Sequence, residues 1–571
     1  MKRYLKDSEI DYILSFLKPN KSIPIESALS IINNLKTRLI KQLKTIEIYP
    51  ELIDELKIQI ENNYQSSLIS PGESVGILAA QSIGEKNTQN SVFFEERILV
   101  KKNKKFMTQS IGEFIENEMK KGYVIEFEKD NYIKEVSNIE ILTISQEEKI
   151  EWKNITELSK HPTNGNLVKI KTESGREVTT TLSHSHLKKF HNSIIPVLGS
   201  KLKIGDRIPV IKKSPTFNSL NFIHISDIID YDILDNKYIY VNETKIENKI
   251  YLDKNFGQFL GIYLSQGYCT KYCTYIQNIT NETENNLKIF CLKYNLEHII
   301  SKNSEDITYI IKSIILTRLL KKLCNTEYKD KNISNIIFNT NNIFISNVLR
   351  GYIDGHKNIS INKNKELVLR FSSKNLVEEF NMLFTCFEIF TSINQYKLII
   401  KGKNNIKKYK DKIGTDLSYL KVEINNLLLS TKYDISKDSE IIPHYIGSHI
   451  TKISSILKLE GYSNYGSSKK GIERNILGEI IKIFKEEANL KNLNIDEHLK
   501  YCELSYNSDV IWDKIIDIQI LEEKNYKYKY VYDFSVKGNE TFALFSGIVV
   551  HNTLNTLNSR VSNTKSIASL I

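Results

Sequence analysis

The stretch Val549-Val550-His551-Asn552-Thr553 places a His-Asn-Thr run at the end of an apolar strand-like segment. An asparagine side-chain amide can attack its own main-chain carbonyl, which breaks the bond to the next residue and leaves a succinimide. His551 is a neighbouring acid that can polarise this carbonyl, and the Thr553 hydroxyl can receive an acyl group before the break. The run predicts a point where the main chain is cut and rejoined, although such short motifs also occur in surface loops.

Two distant segments support this prediction. Residues 71–90 read PGESVGILAAQSIGEKNTQN and residues 553–556 read TLNT. Joined, they resemble the PGE..G..AAQSIGE..TQ.TLNTFH signature of the largest subunit of multisubunit DNA-directed RNA polymerases, around its first trigger-loop helix. The resemblance implies one motif split by an insert at residues 91–552, which begins with a hydroxyl nucleophile and ends in His-Asn. An insert of this kind resembles an intein.

Composition limits the alternatives. At 571 residues the chain is longer than one core usually supports, so we expect several domains. The net charge of +11 indicates contact with a polyanion, or merely solubility. All six cysteines lie in the insert without CxxC pairs, so neither a zinc site nor a disulfide framework is predicted, and Cys269 and Cys273 are expected to pack as thiols.

The N-terminal residues, MKRYLKDSEIDYIL, are charged and amphipathic and lack the features of a secretory signal. The sequence contains no run of about 18 apolar residues, so no membrane span is expected. We therefore expect an intracellular, reducing compartment.

Changes in local pattern divide the chain. Apolar residues at helical spacing lead into the signature, short β-type segments follow Ser91 and return after residue 506, and the middle is helical again. The prediction is a multidomain protein with a helical polymerase fragment, an all-β splicing domain of the hedgehog/intein type formed by both ends of the insert, and an α/β domain between them. The predicted segments are an N-terminal polymerase segment at 1–90, an N-terminal splicing region at 91–212, a linker at 213–250, an endonuclease-like domain at 251–500, a C-terminal splicing region at 501–552 and a C-terminal polymerase segment at 553–571.

The middle contains an internal repeat. NFGQFLGIYLSQG at 255–267 and FISNVLRGYIDGH at 344–356 are similar, and each is followed by a helix-like stretch. They resemble the LAGLIDADG motifs of homing endonucleases. The resemblance implies two paired helices at a pseudo-twofold interface, β-saddles that lie on DNA, and DNA as a partner. A further segment at 469–488 predicts a basic amphipathic helix, for packing or for DNA contact.

The metal-binding positions of that family are altered. LAGLIDADG enzymes hold divalent cations with one carboxylate from the eighth position of each motif, because these cations prefer hard oxygen ligands. Here those positions are Gln266 and His356, and Asp354, at the sixth position of the second motif, is expected to cap or pack the helix end. We predict a degenerate endonuclease that keeps its fold, with Mg²⁺ needed only if the endonuclease or an assembled polymerase is active.

The intein resemblance assigns roles to the residues at the start of the insert. Ser91 attacks the carbonyl of Asn90 and turns the amide into an ester. The run Thr181-Leu182-Ser183-His184 resembles the TxxH motif, in which the threonine holds the peptide and the histidine protonates the departing nitrogen. His186 and His191 stand nearby and are expected to have no role.

At the other end of the insert, Asp533 in VYDFSV resembles the aspartate of the penultimate intein motif, which tunes the downstream nucleophile; the alternative is a solvated strand aspartate. Thr553 then takes the N-terminal segment, and Asn552 cyclises with the help of His551. The splicing chemistry implied here needs no metal or cofactor.

Some positions depart from the families. The start SVFFEERILV lacks the usual Gly-Asp-Thr, and Glu540-Thr541-Phe542 stands where many inteins place a second histidine before a phenylalanine, which predicts a slower or differently assisted reaction.

Leu557 and Asn558 occupy the positions of the trigger-loop Phe-His pair. The polymerase segments lack a DFDGD-like run, so they are expected to contribute only trigger-loop structure, alongside other polymerase chains.

A second interpretation stays open. The chain could be a site-specific homing endonuclease or DNA-binding protein that acts through residues 251–500 and has flanks that do not splice. The two interpretations differ in whether residues 91–552 leave the chain.

Overall fold

The computed structural model describes residues 3–19, 25–44, 47–66, 91–128, 130–163, 165–217, 219–235, 237–242, 244–302, 307–324, 331–355, 359–429, 440–468, 470–522 and 526–552. These residues form two compact units, one within residues 3–66 and the other within residues 91–552. The polymerase-like signature and residues 553–571 lie outside the described residues.

The first unit is mainly helical, as its apolar periodicity predicts. Its elements are β1 (Arg3–Tyr4), α1 (Asp7–Ile13), α2 (Ile25–Leu43), β2 (Glu47–Ile48) and α3 (Ile53–Ser66). The strands β1 and β2 pair antiparallel, and the buried side chains of Ile10, Ile13, Leu43 and Leu56 form its core. The sequence predicts short helices here, whereas α2 is 19 residues long.

The second unit begins with a β-rich module. Its first elements are β3 (Arg97–Lys102), β4 (Lys105–Ser110), α4 (Ile111–Met119), β5 (Ile125–Glu128), β6 (Asn131–Glu135), β7 (Ile139–Ile144), β8 (Ile150–Pro162), β9 (Leu167–Thr172), β10 (Glu177–Thr181), β11 (Ser185–Phe190), β12 (Ser193–Leu198) and β13 (Arg207–Ile211). One helix, α4, interrupts the predicted all-β pattern. The longest of these strands, β8, lies between β7 and β6 in a single sheet.

Residues 213–250, expected to be a linker, are instead folded. They contain β14 (Phe222–His224), β15 (Ile233–Asp235), β16 (Tyr238–Val241), β17 (Thr244–Glu247) and β18 (Lys249–Tyr251). Their isoleucines Ile225, Ile239 and Ile250 are fully buried in the core of the next domain, so burial of apolar surface holds this segment in place.

The middle domain consists of two units with the same element order, α-β-β-α-β-β-α. The first comprises α5 (Lys254–Gln266), β19 (Gly267–Cys269), β20 (Cys273–Ile276), α6 (Asn281–Lys293), β21 (Glu297–Lys302), β22 (Ile307–Lys312) and α7 (Ile314–Cys324). The second comprises α8 (Asn342–Asp354), β23 (Ser360–Ile361), β24 (Leu367–Arg370), α9 (Lys374–Thr385), β25 (Thr391–Asn394), β26 (Lys397–Ile400) and α10 (Lys403–Lys412), followed by α11 (Ser418–Leu429). Both four-stranded sheets have the same strand order, β19-β20-β22-β21 and β23-β24-β26-β25.

The first helices of the two units, α5 and α8, pack against each other in close contact. Glycines make the approach possible, because a Cβ atom on Gly261 would lie 2.2 Å from Val348 O and one on Gly351 would lie 2.2 Å from Gln258 O. Gly257 lies beside Phe344 and Gly355 lies beside Ser265, so the two helices run in the same direction.

A separate helical segment follows, with a core of its own. It contains β27 (Ile441–Ile442), α12 (Ile446–Leu457), α13 (Ser463–Ser467), β28 (Ile472–Glu473), α14 (Arg474–Lys491) and α15 (Asp496–Tyr506). The helix predicted at 469–488 is α14, and its apolar residues Leu477, Ile480 and Phe484 are buried in that core. The packing role predicted for this helix is therefore observed.

The chain then returns to the β module through β29 (Val510–Leu521), β30 (Tyr530–Val536), β31 (Thr541–Ala543) and β32 (Val549–His551). Strand β29 lies between β9 and β13, β30 pairs with β8, and β32 lies between β11 and β31. Both ends of the insert therefore share sheets, which brings residues distant in sequence to one site.

The β module and the middle domain exchange aromatic side chains. Phe545, in the turn between β31 and β32, is fully buried in the core of the middle domain. Phe390, from the middle domain, is buried in the core of the β module. Each core is completed by a residue of the other.

Buried polar contacts join the two domains at the same place. Arg176 is 1% exposed and donates to Ser546 O at 3.0 Å, Thr391 O at 2.9 Å and Asn381 Oδ1 at 2.6 Å. Burial lowers the pKa of its guanidinium to about 10, so it stays charged at neutral pH. Gly175, with φ +83°, lets the main chain approach the middle domain, because a Cβ atom there would lie 1.9 Å from Ile393 O.

Candidate active site

Ser91 lies between two strands that come from opposite ends of the insert. Its neighbour Val92 forms antiparallel bridges to Thr180 and to Tyr532. In antiparallel pairing the preceding residue lies opposite the following residue of each partner, so Ser91 stands across from Thr181 and from Asp533. The pairing therefore brings three of the predicted site residues together.

Thr181 holds the main chain of Ser91 from both sides. Ser91 N donates to Thr181 Oγ1 at 3.1 Å, and Thr181 N donates to Ser91 O at 2.9 Å. Ser91 itself is fully buried. Because Ser91 N belongs to the peptide bond with Asn90, the threonine contacts the amide predicted to break. Asn90 lies outside the described residues.

A residue that the sequence analysis does not predict contacts the Ser91 side chain. His161, at the end of β8, places Nε2 2.7 Å from Ser91 Oγ. Its Nδ1 lies 3.1 Å from Pro162 O. Only 5% of His161 is exposed, and burial lowers its pKa to about 4. No local motif marks this histidine. It comes close to Ser91 because its strand pairs with the strand of Asp533.

His184 is buried beside two other histidines. Burial lowers its pKa well below the usual value, and the charges of nearby His186 and His551 lower it further. Its main-chain N donates to Thr181 O at 3.1 Å. Among the described residues neither ring nitrogen of His184 has a hydrogen-bond partner. The imidazole is therefore neutral and next to both halves of the predicted site.

His186, predicted to have no role, is also fully buried. Its Nε2 lies 3.1 Å from Thr180 Oγ1, and burial lowers its pKa to about 4. It pairs with Val550 across β11 and β32, so it fixes the strand that carries His551. His191, by contrast, is exposed.

Asp533 is 2% exposed on β30 and does not point into bulk solvent. Its Oδ1 accepts from Phe534 N at 2.9 Å. The alternative of a solvated strand aspartate is therefore wrong, because the register with β8 and Ser91 places it inside the module.

At the C-terminal end of the insert, a histidine contacts the carbonyl that asparagine cyclisation would attack. His551 Nδ1 lies 2.7 Å from Asn552 O, the carbonyl of the bond to residue 553. A carbonyl oxygen can only accept, so Nδ1 donates to it. Burial lowers the pKa of His551. Thr553 lies outside the described residues.

Main-chain groups hold the Asn552 side chain. In the orientation assigned from its neighbours, Nδ2 donates to Glu540 O at 2.7 Å and Oδ1 accepts from Val536 N at 3.1 Å. Asn552 N also donates to Glu540 O, at 2.9 Å. Glu540, whose carbonyl accepts both bonds, has φ +53°. The carboxylate of Glu540, at the position of the missing second histidine, lies 4.0 Å from His551 Nε2.

The family model described as the intein splicing domain matches residues 97–552. The chain belongs to the intein splicing domain family. It is 36% identical over 518 residues to the DNA-directed RNA polymerase subunit Rpo1C of Methanocaldococcus jannaschii, covering 87% of this chain and 59% of that relative. This intein therefore interrupts a segment related to the largest polymerase subunit, and the chain spans less than two thirds of that relative's length.

Other comparisons cover smaller shares of the chain. The DNA-directed RNA polymerase I subunit rpa1 of Schizosaccharomyces pombe is 46% identical over 54 residues, which are 9% of this chain and 3% of that protein. Among solved structures, the transcription factor IIB Mvu mini-intein is 24% identical with a TM-score of 0.22, covering 22% of this chain and 72% of that one.

Gln266 and Asp354, two of the intein's three predicted endonuclease positions, lie at the ends of α5 and α8. Gln266 is the last residue of α5, and His356 lies outside the described residues. Asp354 is buried at the end of α8, where it accepts from Thr415 Oγ1 and, at 3.0 and 3.1 Å, from Asp416 N. Burial raises the pKa of Asp354 to about 6. These contacts pack the end of α8 against the segment that precedes α11.

Two features are absent from the described residues. No group of three or more His, Cys, Asp or Glu side chains in these ranges could hold a metal ion. None of the helices described is long and apolar enough to cross a membrane.

Proposed function

We propose that the chain is a precursor that excises residues 91–552 and joins residues 1–90 to residues 553–571. The contact that carries the proposal is that of His551 Nδ1 with Asn552 O, since it polarises the carbonyl that must be attacked. The proposed catalytic residues are Ser91, Thr181, His184, Asp533, His551, Asn552 and Thr553, and the proposed splice junctions are Asn90–Ser91 and Asn552–Thr553.

In the first step Ser91 Oγ attacks the carbonyl carbon of Asn90. A C–O bond forms, the bond from that carbon to Ser91 N breaks, and the proton lost by Oγ is matched by the proton gained by the nitrogen. The hydrogen bond from Ser91 N to Thr181 Oγ1 supports a role for Thr181 in holding this amide. His184 is the proposed group that presents the proton to the departing nitrogen.

In the second step the Thr553 hydroxyl attacks the new ester and takes the N-terminal segment, which frees the Ser91 hydroxyl. Asp533 is the proposed residue that tunes this nucleophile and couples the two steps. Its burial opposite Ser91 supports the assignment, because a buried carboxylate acts strongly on nearby hydroxyls.

In the third step Asn552 Nδ2 attacks the Asn552 carbonyl carbon, and the bond to Thr553 breaks. The contacts to Glu540 O and Val536 N hold the amide in place, which lowers the entropic cost of reaction. The freed amino group of Thr553 then attacks its own ester, and a normal peptide bond results. The four steps balance without a cofactor.

The joined product would be a piece of a polymerase largest subunit. The relative of Methanocaldococcus jannaschii supports this identity for the flanks of the intein. We propose that the piece contributes trigger-loop structure to an enzyme assembled with other polymerase subunits, which would supply Mg²⁺ and nucleotidyl transfer. The activity belongs to that assembly, and not to this chain alone.

We further propose that the middle domain is a degenerate LAGLIDADG endonuclease with a pseudo-twofold repeat and a DNA-binding surface. The repeated element order and the close, parallel packing of α5 and α8 support the fold. Gln266 offers no carboxylate, and Asp354 already accepts three hydrogen bonds. Lys331 is 1% exposed and donates to Tyr263 O, Leu264 O and Gly267 O. The buried positive charge of Lys331 at the end of α5 would repel a metal cation bound there.

Mass spectrometry of the expressed chain tests the splicing proposal. We expect two products, residues 91–552 and the joined flanks. Asn552→Ala should prevent release of the insert, and Ser91→Ala should prevent cleavage after residue 90. Asn364→Ala, at an exposed turn position, is the matched control and should splice normally.

An intact chain in all variants would instead favour a DNA-binding or DNA-cutting protein whose flanks do not splice. Release of the insert from the Asn552→Ala variant would show that another residue breaks the C-terminal bond.

A further inference from the structure

We infer that His161 is the general base that removes the proton from Ser91 Oγ in the first step of splicing. The inference rests on the proposed function and adds a catalytic residue to it. The assignment begins with the contact of 2.7 Å between His161 Nε2 and Ser91 Oγ, which is within hydrogen-bond reach of the reacting atom.

The second ring nitrogen fixes the tautomer. His161 Nδ1 lies 3.1 Å from Pro162 O, and a carbonyl oxygen can only accept a hydrogen bond. Nδ1 therefore carries the hydrogen. Burial lowers the pKa of His161 to about 4, so at neutral pH the ring holds a single proton and Nε2 has a free lone pair. Ser91 must then donate its hydroxyl hydrogen to His161.

The arrangement has the three parts of an activated nucleophile. Ser91 is the nucleophile, His161 is the base within reach, and Pro162 O orients the base through its other nitrogen. Strand pairing holds the parts in place, because His161 pairs with Val531 two residues from Asp533, which lies opposite Ser91. This alignment exists before any reaction.

The chemistry of the nucleophile explains why a base is needed here. A serine hydroxyl ionises far less readily than a thiol, whose pKa is about 8.5. As Oγ attacks, its proton passes to His161 Nε2, and the C–O bond to Asn90 forms. The nitrogen of Ser91 departs with a proton from His184, and the proton held by His161 replaces it, so both rings are neutral when the step ends. No oxidant, metal or co-reactant is consumed.

Removing the base should therefore harm a serine nucleophile more than a cysteine nucleophile. The test uses the full chain with Asn552→Ala and Thr553→Ala, which stop the later steps, and measures hydroxylamine-induced cleavage at residue 90, because hydroxylamine traps esters and thioesters. His161→Gln is introduced beside Ser91 and, separately, beside Ser91→Cys. We expect the rate to fall about 100-fold or more with Ser91 and less than about 10-fold with Ser91→Cys.

A purely structural histidine would lower both rates by the same factor, and that result would overturn the inference, as would an unchanged rate in the Ser91 background. His186→Gln is the matched control, since His186 is also buried and bound to a threonine hydroxyl in the same module. His186→Gln should change the cleavage rate by the same factor with Ser91 and with Ser91→Cys. If His161→Gln does not fold, His161→Asn gives the same comparison.

The proposed function fails separately from this inference. If the parent with an intact His161 shows no hydroxylamine cleavage, ester formation at Ser91 is wrong, and the role of His161 is overturned with it. If the parent cleaves and the two backgrounds respond equally, splicing stands and only the base assignment is lost.

Discussion

His161, which contacts the proposed nucleophile Ser91, and His186 are buried and neutral, and at the scale of single residues they make the fold sensitive to acid. His161 and His186 have pKa values lowered from 6.5 to about 4, because burial disfavours the charged ring. Between about pH 4 and pH 6.5, the unfolded chain binds protons at these two histidines more readily than the folded chain does. Their contribution to stability is therefore complete above about pH 6.5 and is lost as the pH falls toward about 4.

This predicts that His186→Gln weakens the pH dependence of unfolding. Each buried histidine should cost about 2 kcal/mol between about pH 7.5 and about pH 5. Urea unfolding of a non-splicing chain, with Ser91→Ala and Asn552→Ala, measures this effect. Burial raises the pKa values of Glu96 and Glu379 to about 7, so these two groups lower the stability as the pH rises. Their effect is the same in the parent and in the variant, and it therefore cancels in the comparison. His224→Gln, at an exposed position, is the control, and parallel curves for parent and His186→Gln would contradict the prediction.

Some site residues can be predicted from the sequence and others cannot. His551 and Asn552 are neighbours in the chain, so their contact is contained in the local motif, and the main chain between Thr181 and His184 makes a tight turn of its own. His161 reaches Ser91 across paired strands, from 70 positions away. No spacing rule covers that distance, because the register of three strands decides it.

At the scale of elements, alternating apolar residues predict most strands of the module. Strand β8 is not predicted as a single element because Glu and Lys residues interrupt its apolar ones, whereas in the structure it pairs with β6, β7 and β30. Helix α4 begins with a capping signal in the sequence, because Ser110 accepts from Glu113 N in an S-x-x-E start. The sequence of residues 213–250 resembles a linker because its strands are short and because polar residues separate the isoleucines that are buried.

The ends of α5 and α8 carry a prediction about DNA cleavage. The intact chain with Asn552→Ala should not cut a plasmid that contains the uninterrupted polymerase coding sequence, with either magnesium or manganese, because neither Gln266 nor the hydrogen-bonded Asp354 is a free carboxylate for the metal. Gel analysis of nicked and linear products measures this. A plasmid without that sequence is the control. Specific double-strand cleavage would show that the endonuclease is active.

At the scale of the whole molecule, the exchanged phenylalanines link the middle domain to the C-terminal splice junction. Phe545 and Ser546 belong to the turn that leads into His551 and Asn552, and Arg176 fixes this turn against Asn381. Phe545→Ala should destabilise the chain by about 3–5 kcal/mol. It should also slow C-terminal cleavage by about 100-fold, because a small displacement of the reacting groups is costly.

Ser91→Ala isolates the C-terminal reaction, so its rate can be measured by the appearance of the released residues 553–571. Phe190→Ala, at a half-exposed position of the β module, is the control and should leave this rate nearly unchanged. If Phe545→Ala lowers stability but cyclisation keeps its rate, the turn and the junction are not coupled.

The buried contacts of Phe545 and Phe390 also limit which deletions in this gene can be inherited. A deletion that removes the middle domain in one event would leave Phe545 and the charged Arg176 without their surroundings, and the host subunit would stay interrupted. Such a deletion is inherited only if compensating changes at these positions accompany it. Loss of the middle domain is thus disfavoured whether or not that domain cuts DNA.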